Sequence, residues 1–118
     1  ALRGQGGVGE ALRRRSPSEV CTSTVVASEL ELGVARRGNR KLRRELDALY
    51  SGLEVLPYDL EAARRYGRLA TMLLDQGIPI GVEDTMIAAH ALSRRLTLVT
   101  HHRKHFDRVK GLRVEDWL

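Results

Sequence analysis

Short runs of β-branched and aliphatic residues alternate along the chain with longer stretches of helical periodicity, and this alternation constrains the fold more than any other feature. The runs are Val-Cys-Thr-Ser-Thr-Val-Val from Val20, Leu-Glu-Val-Leu from Leu53 and Leu-Thr-Leu-Val-Thr from Leu96, with Leu112-Arg113-Val114 as a candidate last strand. Between them lie helical segments. The first passes through Glu29 and Leu32 and is expected to stop near Gly33. The second follows Asn39, a plausible N-cap, with Leu42, Leu46, Leu49 and Leu53 on one face. Asp59 opens a third, with Leu60, Ala63, Gly67, Ala70 and Leu74 as its apolar stripe and Gly77 and Pro79 as its stop. The fourth runs from about residue 83 to 94 with Asp84, Ile87, Ala88 and Ala91 on one face, and a polar stretch from His101 to Val109 follows the third strand. Strands alternating with helices imply crossover connections, hence an α/β domain with a mainly parallel central sheet flanked by helices in three layers.

Size and composition narrow the function classes. A chain of 118 residues holds one domain. Aromatics make up only 4%, which argues against an aromatic-rich sandwich or a base-stacking sheet face, so the core must be mostly Leu, Val and Ala. Twenty Lys and Arg against fifteen Asp and Glu give a net charge of +5, which suggests an anionic partner, with nucleic acid the commonest. The single Cys21 excludes an internal disulfide and a multi-cysteine zinc site, and it is expected to pack as a small apolar residue. No segment reads as a signal peptide or a membrane span, so the expected compartment is the reducing cytoplasm. The glycines at 4, 6, 7 and 9 lack the Gly-Lys-Thr/Ser ending of a phosphate loop, and residues 1–19 read as a loop, a short basic helix and a turn.

In open parallel sheets, ligands bind beyond the carboxyl ends of the strands. Glu29 falls in the early turns of the helix after the first strand, in an otherwise apolar stripe with Val25, Val26, Leu32 and Gly33. Asp84 opens the alanine-rich helix on its core-facing side. Each has an ordinary structural reading when taken alone. Asp84 complements a helix dipole, and Glu29 is a half-exposed acid that pairs with an arginine. Two carboxylates from separate units at one sheet edge instead invite a hard cation, Mg²⁺ or Mn²⁺. Arg94, Arg95, Arg103, Lys104 and Arg108 are expected to form a basic rim near that edge, while the run from Arg36 to Arg44 is equally an ordinary solvated face. His101, His102 and His105 have spacings that invite a zinc reading, but the usual His-Glu-x-x-His arrangement is absent and they better suit phosphate contacts or a plain polar loop, while His90 reads as a satisfied, partly buried histidine.

Four segments carry a resemblance over nearly the whole chain: Thr24-Val-Val-Ala-Ser-Glu29-Leu-Glu-Leu-Gly33-Val, Gly81-Val-Glu-Asp84-Thr-Met-Ile-Ala-Ala-His-Ala91, Leu96-Thr-Leu-Val-Thr100 and Gly111-Leu-Arg-Val-Glu-Asp-Trp117. They resemble PIN-domain ribonucleases, specifically VapC-type toxins. The resemblance implies a parallel α/β domain and an Mg²⁺- or Mn²⁺-dependent endoribonuclease that cleaves RNA with metal-activated water. It further implies a small antitoxin partner and homodimerisation. Carried over by position, Glu29 and Asp84 are metal ligands. His102 stands where the family usually has Asp or Asn, and supports a metal, a water or a phosphate there. Arg94, Arg95, Arg103 and Lys104 are the expected RNA contacts. The family begins with a strand ending in an Asp ligand, whereas this sequence starts at Ala1-Leu2-Arg3-Gly4, like the end of the helix that follows. Residues 1–118 are therefore expected to form a single PIN-like domain incomplete at its N terminus, poorly active, poorly stable or completed by something else. The competing expectation is a basic α/β module without catalysis that binds RNA, DNA or an antitoxin.

Overall fold

The computed structural model describes residues 20–101 and 103–116. Its first strand, β1 (Cys21–Ser23), is shorter than the β-branched run predicts. Ser23 keeps extended angles while its hydroxyl accepts the Val25 N–H at 3.1 Å, so helix α1 (Thr24–Arg37) begins in the middle of that run. The cap overrides the strand preference of Thr24, Val25 and Val26, and the two valines are buried as helical residues. At its far end α1 runs through Gly33 and stops only at Gly38, whose φ of 59° lets its N–H return to the Val34 carbonyl. Glycine ends this helix where the backbone turns left-handed, not at the first glycine met.

Asn39 caps α2 (Arg40–Gly52) as its sequence predicts, its Oδ1 accepting from the N–H groups of Lys41 and Leu42. The basic face of α2 is turned partly inward. Arg43 makes a two-pronged ion pair with Glu31 of α1, both contacts at 2.7 Å, and a further one with Asp47 at 2.9 Å, while the Tyr50 hydroxyl donates to Glu31. These bonds clamp α1 to α2 and hold the Glu31 carboxyl at about 2, well below its ordinary 4.5, with the Arg43 bonds as the main cause. Strand β2 (Glu54–Leu56) then pairs parallel to β1, with Thr22 opposite Val55.

Helix α3 (Leu60–Asp75) is capped by Asp59, which accepts from Ala62 N–H. Its buried face is Ala62, Leu69 and Leu73, not the predicted stripe, whose ends Leu60 and Leu74 are 63% and 65% exposed. Both sets recur at helical spacing, so periodicity alone does not fix the phase. What fixes it is α4 (Val82–Ser93), against which α3 makes its main packing contact. Ala88, Ala89 and Ala91 of α4 are almost wholly buried and let the two helices approach closely.

The C terminus of α4 closes in an unusual way. The Leu96 N–H reaches the Ala91 carbonyl at 2.9 Å and the Arg95 N–H reaches that of Leu92 at 3.1 Å, the paired bonds of a Schellman turn. The left-handed position of that turn normally goes to glycine. Here it is Arg95, with φ 56°, at a cost of about 1 kcal/mol for an L side chain. The chain continues into β3 (Leu98–Val99), helix α5 (Arg103–Phe106) and β4 (Val114–Glu115), with β4 parallel to β3. Among the described residues the strands form two two-stranded parallel sheets, β1 with β2 and β3 with β4. The expected parallel pairing is present, divided between these small sheets and flanked by helices. Val25, Val26, Leu73, Ile87, Leu98 and Phe106 belong to one continuous apolar cluster. Among the described residues no helix is long and apolar enough to cross a membrane.

His90 lies deeper than its sequence context predicts. It is 3% exposed, its Nδ1 is 2.8 Å from the Ser23 hydroxyl, and Tyr58 packs edge-on to its ring at 5.6 Å between centroids. Its Nε2 is buried without a hydrogen-bond partner among the described residues, so the expected satisfied histidine is only half satisfied. Burial is the main cause that holds its pKa below 6.5 and keeps the ring neutral.

Candidate functional site

The Ser23 cap that cuts β1 short also aims the first turns of α1 across the carboxyl end of the β1–β2 pair. The Tyr58 N–H, two residues beyond β2, donates to Thr24 Oγ1 at 3.0 Å and ties that end of the sheet to the helix start. The groove above it has a volume of about 570 Å³ and takes in Ser28, Glu29 and Leu32 of α1, Tyr58, and Glu83 and Met86 of α4. Leu32, read in the sequence as part of a buried stripe, is 58% exposed on this groove. One carboxylate oxygen of Glu29 is buried, so this acid is directed into the protein and not out to bulk water.

Asp84 occupies the first turn of α4 beside Glu83, where both acids also complement the helix dipole. Its side chain is only 15% exposed, and its Oδ2 lies 3.0 Å from Nδ1 of His105 on α5. Because α5 follows β3, this contact brings the start of α4 to the carboxyl end of the second sheet. The carboxyl ends of both strand pairs thus converge on one acidic region, the place expected for a site in a parallel sheet. The two acids singled out in the sequence, Glu29 and Asp84, belong to the two helices that meet there.

Other residues fall differently. His101 turns away to Asp116, at 3.3 Å. His102 lies outside the described residues, as do residues 1–19 and their expected basic helix. Arg103 and Lys104 stand on α5 next to His105 and remain at the acidic region, Arg103 with an ion pair to Asp107 at 3.5 Å. Arg94 and Arg95 are corrected: they follow α4 at its far end, about 13 Å along the helix axis from Asp84, and so do not belong to the rim at this edge. A helix following a strand and a helix preceding one present opposite ends to the sheet edge, and sequence proximity to β3 does not tell them apart. Arg36, Arg37, Arg40, Lys41 and Arg44 are exposed on α1 and α2, as a solvated face would be.

Sequence reasoning missed Glu83 and passed over His105. Glu83 adjoins Asp84 in the chain, and its place beside Glu29 depends on how α1 packs on α4. His105 was grouped with its neighbours His101 and His102, whereas it lies on α5 and His101 precedes that helix. The acids are hard oxygen donors of the kind Mg²⁺ and Mn²⁺ take, and Mg²⁺ is held in many sites by one or two carboxylates together with waters and substrate phosphates. In donor type Glu29 and Asp84 fit such an ion. Among the described residues no group of three or more His, Cys, Asp or Glu gathers closely enough to hold a metal.

Comparison with known proteins gives a consistent answer. Residues 4–112 match the PIN domain family. The chain is 37% identical over 112 residues to the tRNA(fMet)-specific endonuclease VapC of Salmonella typhimurium, covering 92% of this chain and 85% of that protein. It is 34% identical over 99 residues to ribonuclease VapC2 of Rickettsia felis, covering 83% of this chain and 74% of the relative. Among solved structures, the DNA-bound VapBC of Salmonella typhimurium superposes with a TM-score of 0.86 at 33% identity, covering 97% of this chain and 86% of that one. VapBC2 of Rickettsia felis bound to a promoter DNA fragment gives 0.80 at 30% identity, covering 95% and 83%.

Proposed function

This chain belongs to the PIN-domain family, and from that membership we propose that it is a VapC-type endoribonuclease, the toxin of a toxin-antitoxin pair, dependent on Mg²⁺ or Mn²⁺. The observation that carries the reading is the contact between α1 and α4, the helices that carry Glu29 and Asp84, with Glu29 and Glu83 lining one groove beside the parallel strands in a chain whose relatives are named endonucleases. Glu29 and Asp84 would hold the ion. Bound there, it would supply concentrated positive charge to polarise the phosphodiester and stabilise the charge that develops on its oxygens.

The chain's own groups set up the rest. His105 fixes the rotamer of Asp84 through the Nδ1 contact, so that the carboxylate does not have to be ordered when substrate arrives. Arg103 and Lys104, exposed on the same short helix, grip the RNA backbone beside the acids and balance their negative charge. Leu32, Tyr58 and Met86 give the groove an apolar wall beside Glu29. The proposed partners are RNA as substrate, a small antitoxin protein, and a second copy of the chain.

The test is cleavage of labelled RNA by purified protein, with Mg²⁺ or Mn²⁺ added back to a metal-free preparation. Cleavage should require the metal and fall at least 100-fold in Asp84→Asn and in Glu29→Gln, with folding preserved by circular dichroism. Undiminished cleavage in both variants would sink the assignment. Salt-sensitive RNA binding without cleavage in any metal would establish the non-catalytic module instead.

A further inference from the structure

A second pocket lies at the opposite pole of the molecule from the acidic region. It encloses about 290 Å³ between the end of α4 and the start of β4, and its lining is Arg65, Leu92, Arg95, Leu96, Gly111 and Arg113. Arg65 comes from α3, Arg95 from the turn that ends α4, and Arg113 from the residue just before β4. The Arg113 carbonyl accepts the Leu98 N–H at 2.8 Å, which fixes the pocket at the amino ends of β3 and β4. None of the three arginines has an ion pair or side-chain hydrogen bond among the described residues, although Arg43, Arg64 and Arg103 elsewhere in the chain all have carboxylate partners.

Three arginines line this one concavity, and guanidinium groups brought together there repel one another unless an anion sits between them. The backbone adds an independent indication. Arg95 holds the left-handed position of the α4 Schellman turn, where glycine would sit without strain, and Gly111 beside it does have positive φ, at 83°. Strain retained at a position that glycine would relieve marks a side chain kept for what it does. Planar, multi-donor guanidinium groups suit phosphate oxygens, and the small apolar floor of Leu92 and Leu96 leaves room for a phosphodiester and not for a large apolar ligand.

We infer that Arg65, Arg95 and Arg113 form a phosphate-binding pocket that holds the backbone of an RNA at a point remote from the acidic site. The inference rests on the ribonuclease reading for the identity of the polyanion, and it adds a second anchor point to it. The two poles are separated by at least the length of α4 from Asp84 to Ser93, about 13 Å, so bridging them takes about four nucleotides at roughly 3.4 Å each. Folded RNAs long enough to pass around the molecule engage both anchors, and a dinucleotide does not.

The experiment is fluorescence anisotropy of a labelled 20-nucleotide RNA stem-loop with the full chain in EDTA, repeated over a salt series, for the parent, Arg95→Gly, Arg113→Ala and the double variant. Arg95→Gly is the informative substitution, because it removes the guanidinium while relieving the strained backbone. It should raise the melting temperature and weaken stem-loop binding about five-fold, lowering the salt slope by about 1, with the double variant lower by about 2. A higher melting temperature with unchanged affinity and salt slope would show Arg95 to be a structural accident and overturn the proposal. So would displacement of the RNA from the parent by a polyglutamate peptide, because the pocket would then recognise carboxylates. Failure of the nuclease reading registers separately, as absence of metal-dependent cleavage by a parent protein whose salt-linked binding still depends on Arg95 and Arg113.

Discussion

Replacing Ser23 by Ala tests how the sheet edge and the site helix are joined, because one hydroxyl serves both. Its oxygen accepts the Val25 N–H that starts α1, and the same oxygen lies 2.8 Å from Nδ1 of His90 in α4. Loss of the cap costs about 1 kcal/mol. With Ser23 1% and His90 3% exposed, no water replaces the lost partner, and stranding the imidazole nitrogen costs about 1–3 kcal/mol more. The expected total is about 2–4 kcal/mol, measurable as a shift in the urea midpoint at constant slope. The decisive comparison is a double-mutant cycle. His90→Leu removes both ring nitrogens but leaves the buried Ser23 hydroxyl without this partner, and is expected to cost about 1–3 kcal/mol. In that background Ser23→Ala should cost only the cap, about 1 kcal/mol, which leaves a coupling of about 1–3 kcal/mol. A coupling below about 0.5 kcal/mol would refute the reasoning, since the two residues would then act independently. The cycle also has a pH signature. Burial holds the folded-state pKa of His90 below 6.5, so the unfolded chain takes up the proton first and stability falls as the pH drops below 6.5. That part of the pH dependence should vanish in His90→Leu.

Two further outcomes follow from the packing. Glu31→Gln loosens the α1–α2 clamp; because the native carboxyl is held at about 2 against an ordinary 4.5, its contribution is complete above pH 4.5 and lost as the pH falls towards 2. Thermal melts should therefore separate parent and variant slightly at pH 7 and converge near pH 2, with added salt narrowing the gap, since both partners are at least 40% exposed. Phe106→Ala empties a wholly buried position between α5 and the core and should cost about 3–5 kcal/mol by urea unfolding. A cost below about 1 kcal/mol would mean that α5, and with it His105, is not anchored by this ring.

The two candidate acids stand out in the sequence because they break a pattern. Glu29 interrupts an apolar stripe and Asp84 begins the alanine-rich face of α4, and both positions are visible in one dimension. The caps were legible for a similar reason, since Asn39 and Asp59 act on N–H groups two or three residues away. Ser23 was missed as a cap because its β-branched neighbours read as strand, and the hydrogen bond that decides the matter competes with a propensity worth no more. The phase of α3 was misread because Leu60 and Leu74 recur as regularly as Leu69 and Leu73.

The sequence by itself determined the alternation of strands and helices, the parallel pairing it requires, and the places of Glu29 and Asp84 on α1 and α4. These depend on local periodicity and on residues near one another in the chain. Only the tertiary structure decided which face of α3 meets α4, that His105 supports Asp84 while His101 turns to Asp116, and that Arg95 joins Arg65 and Arg113 at the far pole instead of the acidic rim. Each of these is set by packing between elements distant in sequence, and the direction in which a helix crosses the sheet settles which of its ends, and which of its charges, reaches the site.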